Sequence, residues 1–389
     1  MIFDNTIDEL LLEASRYEQI HKAKPNFISD WNPATENIID VQFESNIEKK
    51  EVNIYNYLYS IDDINYKDVF RKYCEKKYYK NDSFDFSLFA NSTIALYLIF
   101  KALKMHAHTN ILIFTPGYFT SESALLSLGF NIFFTSLVKN DLDINIIISL
   151  IKKNKIDSIL VTDPVYGVGL SLSSQIYNSL INVAKKFKVT LIIDYSYGNM
   201  IWDETDHIFN YDLVSRLSCS GIDYFIVDSL PKKLFLNGVK FSLIFSRLEN
   251  IVYLENLSLF IEGSISSEQF KNYIRCYDEK NSILINAIIS NYIRQSQNTY
   301  NLIKSFLLDS KTLNVLHADS GIFALIGMRR RNSFEEDMNC AKLLLRDQGI
   351  FVTPHSRYRY NDNSWFYFRI NLLLDKNKLI ESLTKLSNL

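Results

Sequence analysis

The chain is poor in glycine, proline and cysteine, and neither sign of charge dominates it. Its 389 residues include 11 glycines, 6 prolines and 4 cysteines, and the formal net charge is -2. This near balance argues against a nucleic-acid binder, which needs a basic surface. No uninterrupted apolar stretch reaches eighteen residues, so no membrane span is predicted. The cysteines lack metal-ligand spacing and are typical of reduced thiols in a cytoplasmic protein without a bound metal.

The composition and the start of the chain are those of an ordinary globular protein. Hydrophobic residues make up 47% and charged residues 22% of the chain, which excludes a disordered protein. Residues 1–19 are acidic and amphipathic, and they lack the basic front and apolar core of a signal peptide. A chain of 389 residues is too long for one small core, so we expect two lobes of unequal size.

Short apolar runs alternate with helical segments through the first two thirds of the chain. The predicted strands are 84–89, 110–114, 131–137, 156–162, 189–194, 223–229 and 240–246. Runs rich in Ile, Val and Phe that are separated by helices are typical of a mostly parallel sheet buried on both faces. This pattern predicts the doubly wound α/β class, in which ligands bind at the carboxyl ends of the strands.

The pattern changes after about residue 269. A long helical stretch, 280–307, leads to probable strands at 321–328 and 365–374, which we interpret as a second, smaller domain. The predicted division is an N-terminal arm that packs with the small domain, a large ligand-binding domain and a small C-terminal domain. Their predicted bounds are 1–54, 55–280 and 281–389.

Lys232 follows a predicted strand in the segment VDSLPKKLFLNGVKFS, with Gly238 six residues and Lys240 eight residues further on. A lysine amine forms Schiff bases with carbonyl compounds when burial and nearby positive charge lower its pKa. Lys240 is able to neutralise a phosphate as a point charge, and the Ser229 hydroxyl to donate a hydrogen bond to an anion. The structural alternative, a solvated Lys-Lys pair in a loop, explains this segment better when it is taken alone.

Asp194 ends the apolar strand of VTLIIDYSYG, and Tyr197 follows three residues later. A carboxylate at a buried strand end is costly unless a partner compensates it. A protonated ring nitrogen of a ligand would be such a partner. The alternative is an aspartate that caps the next helix.

Other polar or aromatic residues follow predicted strands. Asn91, Ser92 and Thr93 begin a helix in FANSTIAL, and the N–H groups of a helix start bind phosphate; the alternative is an N-cap without a ligand. Tyr118 lies in TPGYFTS, where its ring can stack on a flat ligand, and Tyr166 lies in the turn of VTDPVYGVGL. For both tyrosines, an ordinary turn is an adequate alternative.

A lone arginine, Arg369, interrupts the apolar strand SWFYFRINLLL near the end of the chain. A buried arginine must be paired, and a carboxylate ligand would satisfy it through two hydrogen bonds. An internal salt bridge is the equally good alternative.

Taken in order, these segments resemble the class I/II aminotransferases, which are pyridoxal 5′-phosphate (PLP) enzymes of fold type I. The resemblance runs from about residue 55 to the end and depends on the order and spacing of the motifs. It implies a homodimer whose large domain has a mostly parallel sheet of the seven-stranded type flanked by helices, with a smaller α+β C-terminal domain. The resemblance implies that Lys232 binds PLP covalently, that Asp194 contacts its pyridine nitrogen, and that Tyr197 and Tyr166 contact its phenolic oxygen. It implies that Tyr118 stacks on the ring and that Arg369 binds the substrate carboxylate. The phosphate would be bound by Asn91, Ser92, Thr93, Ser229 and Lys240.

The activity that the resemblance implies is transamination between an α-amino acid and a keto acid. In it, Lys232 is also the general base, and Asp194 and Tyr197 complete the catalytic set. The alternatives are another PLP-dependent reaction of an amino acid, such as elimination, decarboxylation, oxidation or condensation, and a non-catalytic relative that kept the fold.

Some positions depart from the family pattern. Lys240 stands where the family has an arginine, and Ser242 where it has a glycine. Tyr166 stands where the family has the second asparagine of an Asn-Pro-x-Asn-Pro motif. These departures favour a specialised biosynthetic pathway over a housekeeping enzyme. In the family a tyrosine of the neighbouring subunit reaches the phosphate, and the candidates here are Tyr55, Tyr57 and Tyr59.

Overall fold

The computed structural model contains a central seven-stranded sheet and a smaller three-stranded sheet, with helices around both. The structure describes residues 6–30, 32–34, 64–78, 84–137, 142–236, 238–263, 265–330, 336–360 and 364–389. The strands, in chain order, are β1 (Asn26–Phe27), β2 (Asp85–Phe89), β3 (Asn110–Thr115), β4 (Asn131–Ser136), β5 (Ser158–Thr162), β6 (Thr190–Tyr195), β7 (Tyr224–Asp228), β8 (Ser242–Ser246), β9 (Leu313–Val315), β10 (Phe323–Arg329), β11 (Ile350–Phe351) and β12 (Trp365–Asn371). The helices are α1 (Thr6–His21), α2 (Ile64–Tyr78), α3 (Ser92–Met105), α4 (Phe119–Ser127), α5 (Ile144–Asn154), α6 (Ser174–Phe187), α7 (Tyr211–Ser220), α8 (Leu230–Lys233), α9 (Leu248–Ile261), α10 (Ser267–Tyr277), α11 (Glu279–Phe306), α12 (Asp337–Gln348) and α13 (Lys376–Ser387).

The central sheet has the strand order β2-β8-β7-β6-β5-β3-β4. The pairs between β7 and β4 are parallel, whereas β8 is antiparallel to both β7 and β2. The chain leaves the carboxyl end of β7 through the four-residue helix α8 and enters β8 at the same end of the sheet, so β8 runs in the opposite direction. Every residue of β6 and β7 is buried, as expected for strands that helices cover on both faces.

Alternate residues of the central strands pack into different cores. Leu191 and Ile193 of β6 belong to the core that contains α6, whereas Ile192 belongs to the core that contains α3. This separation follows from the two-residue repeat of a strand. Both helices begin at a polar cap, since the side chain of Asn91 accepts from the Ile94 N–H and that of Ser173 accepts from the Ile176 N–H. Such caps satisfy N–H groups that have no partner inside the helix.

The smaller sheet has the order β12-β10-β9 and is antiparallel. The N-terminal residues pack with this part of the chain, because β1 pairs with β11 and α1 contacts α12. Glu13 of α1 accepts from the Arg346 Nε of α12 at 2.8 Å. Arg369 lies on β12, beside Leu325 of β10.

The predicted α/β class and mostly parallel sheet are confirmed, and each of β2 to β8 lies within two residues of its predicted bounds. The pattern missed α7, α9, α10, α12 and α13, in which polar and apolar residues are mixed. A capping box at Ser266 and Gln269, with both reciprocal hydrogen bonds, begins α10, and it is the local signal that would have revealed this helix. Over the described part of the chain, no helix has the length and apolarity needed to cross a membrane.

Candidate active site

A cavity of about 310 Å³ lies where β3, β5, β6 and β7 end, at the carboxyl edge of the sheet. This is the edge at which ligands bind in open α/β sheets. The smaller sheet closes one side: Gly169, with φ of +76°, packs so closely on the Phe323 carbonyl that a Cβ atom there would clash with it. The residues around the cavity are Tyr118, Thr162, Asp163, Pro164, Val165, Tyr166, Gly167, Gly169, Asp194, Ser196, Tyr197, Lys232, Gly321, Ile322 and Phe323.

Lys232 reaches the cavity from α8, the short helix that follows β7. Pro231 stands in the first turn of this helix, where a missing N–H costs nothing. The Lys232 Nζ lies 5.7 Å from the ring centroid of Tyr118 and 5.7 Å from that of Tyr197. Burial lowers the pKa of the Lys232 amine, although the negative charge of Asp194 partly offsets the effect. A lowered pKa leaves more of the amine neutral and nucleophilic.

Lys233, the other lysine of the pair, points away from the cavity. Its side chain is fully buried, with Nζ 2.9 Å from the Asp228 Oδ1, and it donates to the Ile208 carbonyl at 3.1 Å. The structure therefore separates the two adjacent lysines, with one at the cavity and the other in a buried ion pair.

Asp194 is the second-to-last residue of β6, and its carboxylate is held in one orientation. The Ser196 hydroxyl donates to the Asp194 Oδ1 at 2.6 Å, and the Ser196 N–H donates to the same oxygen at 3.2 Å. Sequence reasoning missed Ser196, although a serine two residues after an aspartate is the usual pattern of such a local turn. Tyr197 follows at the cavity wall, and burial raises the pKa of its phenol well above the ordinary value. The phenol thus stays protonated and able to donate a hydrogen bond.

Tyr118 and Tyr166 line the side of the cavity, and Arg369 contacts Tyr166. The rings of Tyr118 and Tyr166 have centroids 5.6 Å apart, and the ring of Tyr358 packs edge-on against that of Tyr166, with centroids 4.8 Å apart. The buried Arg369 guanidinium donates through Nη1 to the Tyr166 hydroxyl at 3.1 Å and through Nη2 to the Ser29 carbonyl at 3.2 Å. Tyr166 therefore stands between the cavity and Arg369, as the arginine's hydrogen-bond partner.

The predicted phosphate-binding residues lie at the start of α3 and in the β7–β8 connection. Ser92 shares a 2.9 Å hydrogen bond with Ser242, and Ser229 donates to the Phe241 carbonyl at 3.1 Å. Because Phe241 and Ser242 are adjacent, these bonds bring the N-terminus of α3 close to Ser229. Asn91 caps α3, and the side chains of Thr93 and Lys240 are exposed. None of these five predicted residues lines the cavity.

Asp163 is a buried carboxylate of the cavity wall that sequence reasoning did not select. It accepts hydrogen bonds from the Tyr177 hydroxyl at 2.5 Å, the Ser171 hydroxyl at 3.3 Å and the Leu172 N–H at 3.2 Å. Burial raises the pKa of Asp163 to about 7 in spite of these bonds. The folded chain thus binds a proton there that the unfolded chain has lost above pH ~4.

We expect Asp163→Asn to remove a pH dependence of stability. Because the folded pKa of Asp163 lies above the unfolded one, its favourable contribution is complete below pH ~4 and is lost as the pH rises through about 7. The stability of the variant relative to the wild type should therefore be higher at pH 8.5 than at pH 5.5, by on the order of 2 kcal/mol. Thermal unfolding at both pH values measures this. Asp203→Asn, at an exposed position, is the control, and an Asp163→Asn gap independent of pH would contradict the prediction.

Comparison with known proteins identifies the family. Residues 42–386 match the family model "Aminotransferase class I and II", and the chain belongs to this family. The 1-aminocyclopropane-1-carboxylate synthase 8 of Arabidopsis thaliana is 24% identical over 220 residues, which are 54% of this chain and 46% of the relative. The chain thus spans about half the length of the curated relatives it matches.

Solved structures show the same fold at lower identity. An archaeal alanine:glyoxylate aminotransferase superposes with a TM-score of 0.81 at 17% identity, covering 99% of this chain and 95% of the other. The kynurenine aminotransferase of Pyrococcus horikoshii, solved with pyridoxamine phosphate (PMP), has a TM-score of 0.78 at 13% identity and covers 99% and 95%. The predicted family and fold type are confirmed, and PLP is the cofactor of this family.

The residues around the cavity fit PLP. Lys232 supplies an amine of lowered pKa, and Asp194 supplies a carboxylate that Ser196 holds through one oxygen only. Tyr118 and Tyr197 flank the amine with aromatic rings. A flat, cationic heterocycle with an aldehyde group has the chemistry that this set of side chains would bind.

Proposed function

We propose that the chain is an aminotransferase that transfers an amino group between an α-amino acid and a keto acid. The observation that carries the proposal is the meeting of the Lys232 amine and the Asp194 carboxylate at one cavity. They come from different strand ends, and each is costly to bury without a ligand. The nearby Arg369 provides a cation that suits the carboxylate of an amino acid.

Bound PLP supplies an electron sink for the pair of electrons left when a proton leaves the substrate's α-carbon. In our proposal, Lys232 would hold the cofactor covalently, and its amine would move the α-proton as general base. Asp194 would keep the proton on the pyridine nitrogen. Tyr197 and Tyr166 donate hydrogen bonds to the phenolic oxygen, and Arg369 orients the substrate carboxylate.

The phosphate group would lie at the N-terminus of α3. The helix dipole and the N–H groups of its first turn favour an anion there. We assign Asn91, Ser92, Thr93 and Ser229 to this phosphate, with Lys240 as a point charge. Thr93 and Lys240 are the exposed members of this set, and Lys240 would have to turn toward the phosphate to serve it.

We propose a cytoplasmic homodimer, an arm at 1–54, a large domain at 55–280 and a small domain at 281–389, acting in a specialised biosynthetic pathway. The tyrosines proposed to reach the phosphate of a neighbouring subunit, Tyr55, Tyr57 and Tyr59, lie outside the described residues.

A second candidate function is a different PLP-dependent reaction that begins with the same removal of the α-proton. Two observations favour it. The curated relatives are synthases, and Tyr166 stands at the wall between the cavity and Arg369. The same lysine and aspartate would serve such a reaction, because the cofactor's chemistry and the proton transfer are shared.

Absorption spectra of the purified protein test the first proposal against the second. The protein is loaded with PLP and mixed separately with L-alanine, L-kynurenine, L-methionine and L-aspartate. We expect one of them to convert the yellow cofactor to its colourless PMP form, with a stoichiometric keto acid, and pyruvate or glyoxylate to restore the colour. Turnover that releases ammonia or another product, with the yellow form unchanged at the end, would favour the second candidate. Failure to take up PLP would contradict both.

A further inference from the structure

His355 is a buried imidazole next to the Tyr166–Arg369 pair. It begins the 3₁₀ turn His355–Tyr358, and the preceding Pro354 bridges to Phe368 on β12, one residue before Arg369. The ring is 0% exposed, and its centroid lies 5.0 Å from that of Tyr358. The imidazole is thus fixed between the strand that carries Arg369 and the turn that carries Tyr166.

The contact with that turn is at Gly167. A Cβ atom on Gly167 would lie 2.6 Å from the His355 Cε1 and 3.6 Å from the Arg369 Cβ, and the glycine has φ of +71°. The imidazole therefore lies directly against the backbone of the residue after Tyr166. Any larger residue at 167 would have to displace it.

The ring has few polar neighbours among the described residues. Neither ring nitrogen of His355 makes a hydrogen bond of good geometry with them, and the Tyr166 backbone lies close enough to favour the protonated ring. Burial, and then the charge of Arg369, lower the pKa of His355 to about 3. A second cation beside Arg369 is thereby avoided, and the ring is neutral throughout the physiological range.

We propose that His355 is a positioning residue that presses the Gly167 turn toward Arg369 and so holds the Tyr166 hydroxyl on the guanidinium. This inference rests on the proposed function, in which Arg369 receives the substrate carboxylate. The imidazole acts through its volume, which fills the space beside Gly167. Without the ring, the turn is free to move, and Arg369 is no longer held in place to bind the substrate carboxylate.

Binding of two probes that differ only by a carboxylate tests the proposal. Dissociation constants of L-alanine and ethylamine are measured from the change in cofactor absorption for the wild type, His355→Phe and His355→Ala. We expect the alanine variant to bind L-alanine about tenfold more weakly, since small displacements at such sites have large effects. Ethylamine should bind all three proteins alike, and the phenylalanine variant, which keeps a ring, should bind L-alanine as the wild type does. An equal weakening for both probes, or none, would overturn the proposal.

A crystal structure of His355→Ala gives a readout that does not need the cofactor. We expect the Tyr166 hydroxyl to move out of hydrogen-bond range of the Arg369 Nη1, which it contacts at 3.1 Å in the wild type, and His355→Phe to retain that bond. If the hydrogen bond between Tyr166 and Arg369 is unchanged in His355→Ala, the proposal is wrong, whatever the activity of the enzyme. Conversely, a wild type that takes up no PLP would contradict the proposed function, and the crystal structure of His355→Ala would still test the positioning role of His355. If His355→Ala does not fold, His355→Ser replaces it, since serine also lacks the volume of the ring.

Discussion

Lys232→Ala is expected to lose the yellow absorption band of the lysine-bound cofactor and to lower turnover at least a thousandfold, roughly the contribution of a general base at the upper end of its range. The variant removes both the amine that binds the cofactor and the base that moves the α-proton. The spectrum of the PLP-loaded protein and single-turnover mixing with the reactive amino acid measure the two losses separately.

The loss should not come from unfolding. Burial lowers the pKa of Lys232, so the charged form is disfavoured in the folded chain, and removing the amine costs little stability. The control is Lys153→Ala, an exposed lysine near the end of α5, which should retain the band and the rate. A normal band in Lys232→Ala would mean that another group holds the cofactor and would contradict our assignment of the site.

The choice of Lys232 over Lys233 shows what the sequence is able to predict. The strand pattern and the spacing to Gly238 favour Lys232, and the structure places this amine at the cavity beside Asp194. Strand ends are local features, and parallel strands collect them at one edge. Tyr118, Tyr166, Asp194, Tyr197 and Lys232 therefore come together as a consequence of the fold class.

The sequence pattern could not predict contacts between residues that are far apart in the chain. Arg369 was expected to need a partner, and the partner is Tyr166, 203 residues earlier, together with the Ser29 carbonyl. No periodicity encodes such a pair, because it depends on how the smaller sheet packs against the larger one. His355 was missed for the same reason. Spacing matched Lys240 to a phosphate cation, but spacing does not determine the direction of a side chain in a loop, and this one points to solvent.

The buried pair of Lys233 and Asp228 leads to the largest stability effect that we predict. We expect Lys233→Met to destabilise the protein by about 3–5 kcal/mol, because it leaves a buried carboxylate without its cation. Lys233 is 0% and Asp228 2% exposed, so water does not replace the lost partner. Urea unfolding followed by circular dichroism measures the effect, and Lys153→Met, an exposed lysine, should shift the midpoint little.

The dependence on pH and a second substitution distinguish a lost ion pair from a packing defect. Burial already raises the pKa of Asp228 while Lys233 lowers it, so removing Lys233 raises that pKa further. The carboxylate is then neutral at low pH and charged at high pH, and the defect of Lys233→Met should be larger at pH 8 than at pH 5. The double variant Lys233→Met/Asp228→Leu, which removes both charges, should recover most of the loss. A defect that is the same at both pH values and persists in the double variant would show that Lys233 acts through its packing alone.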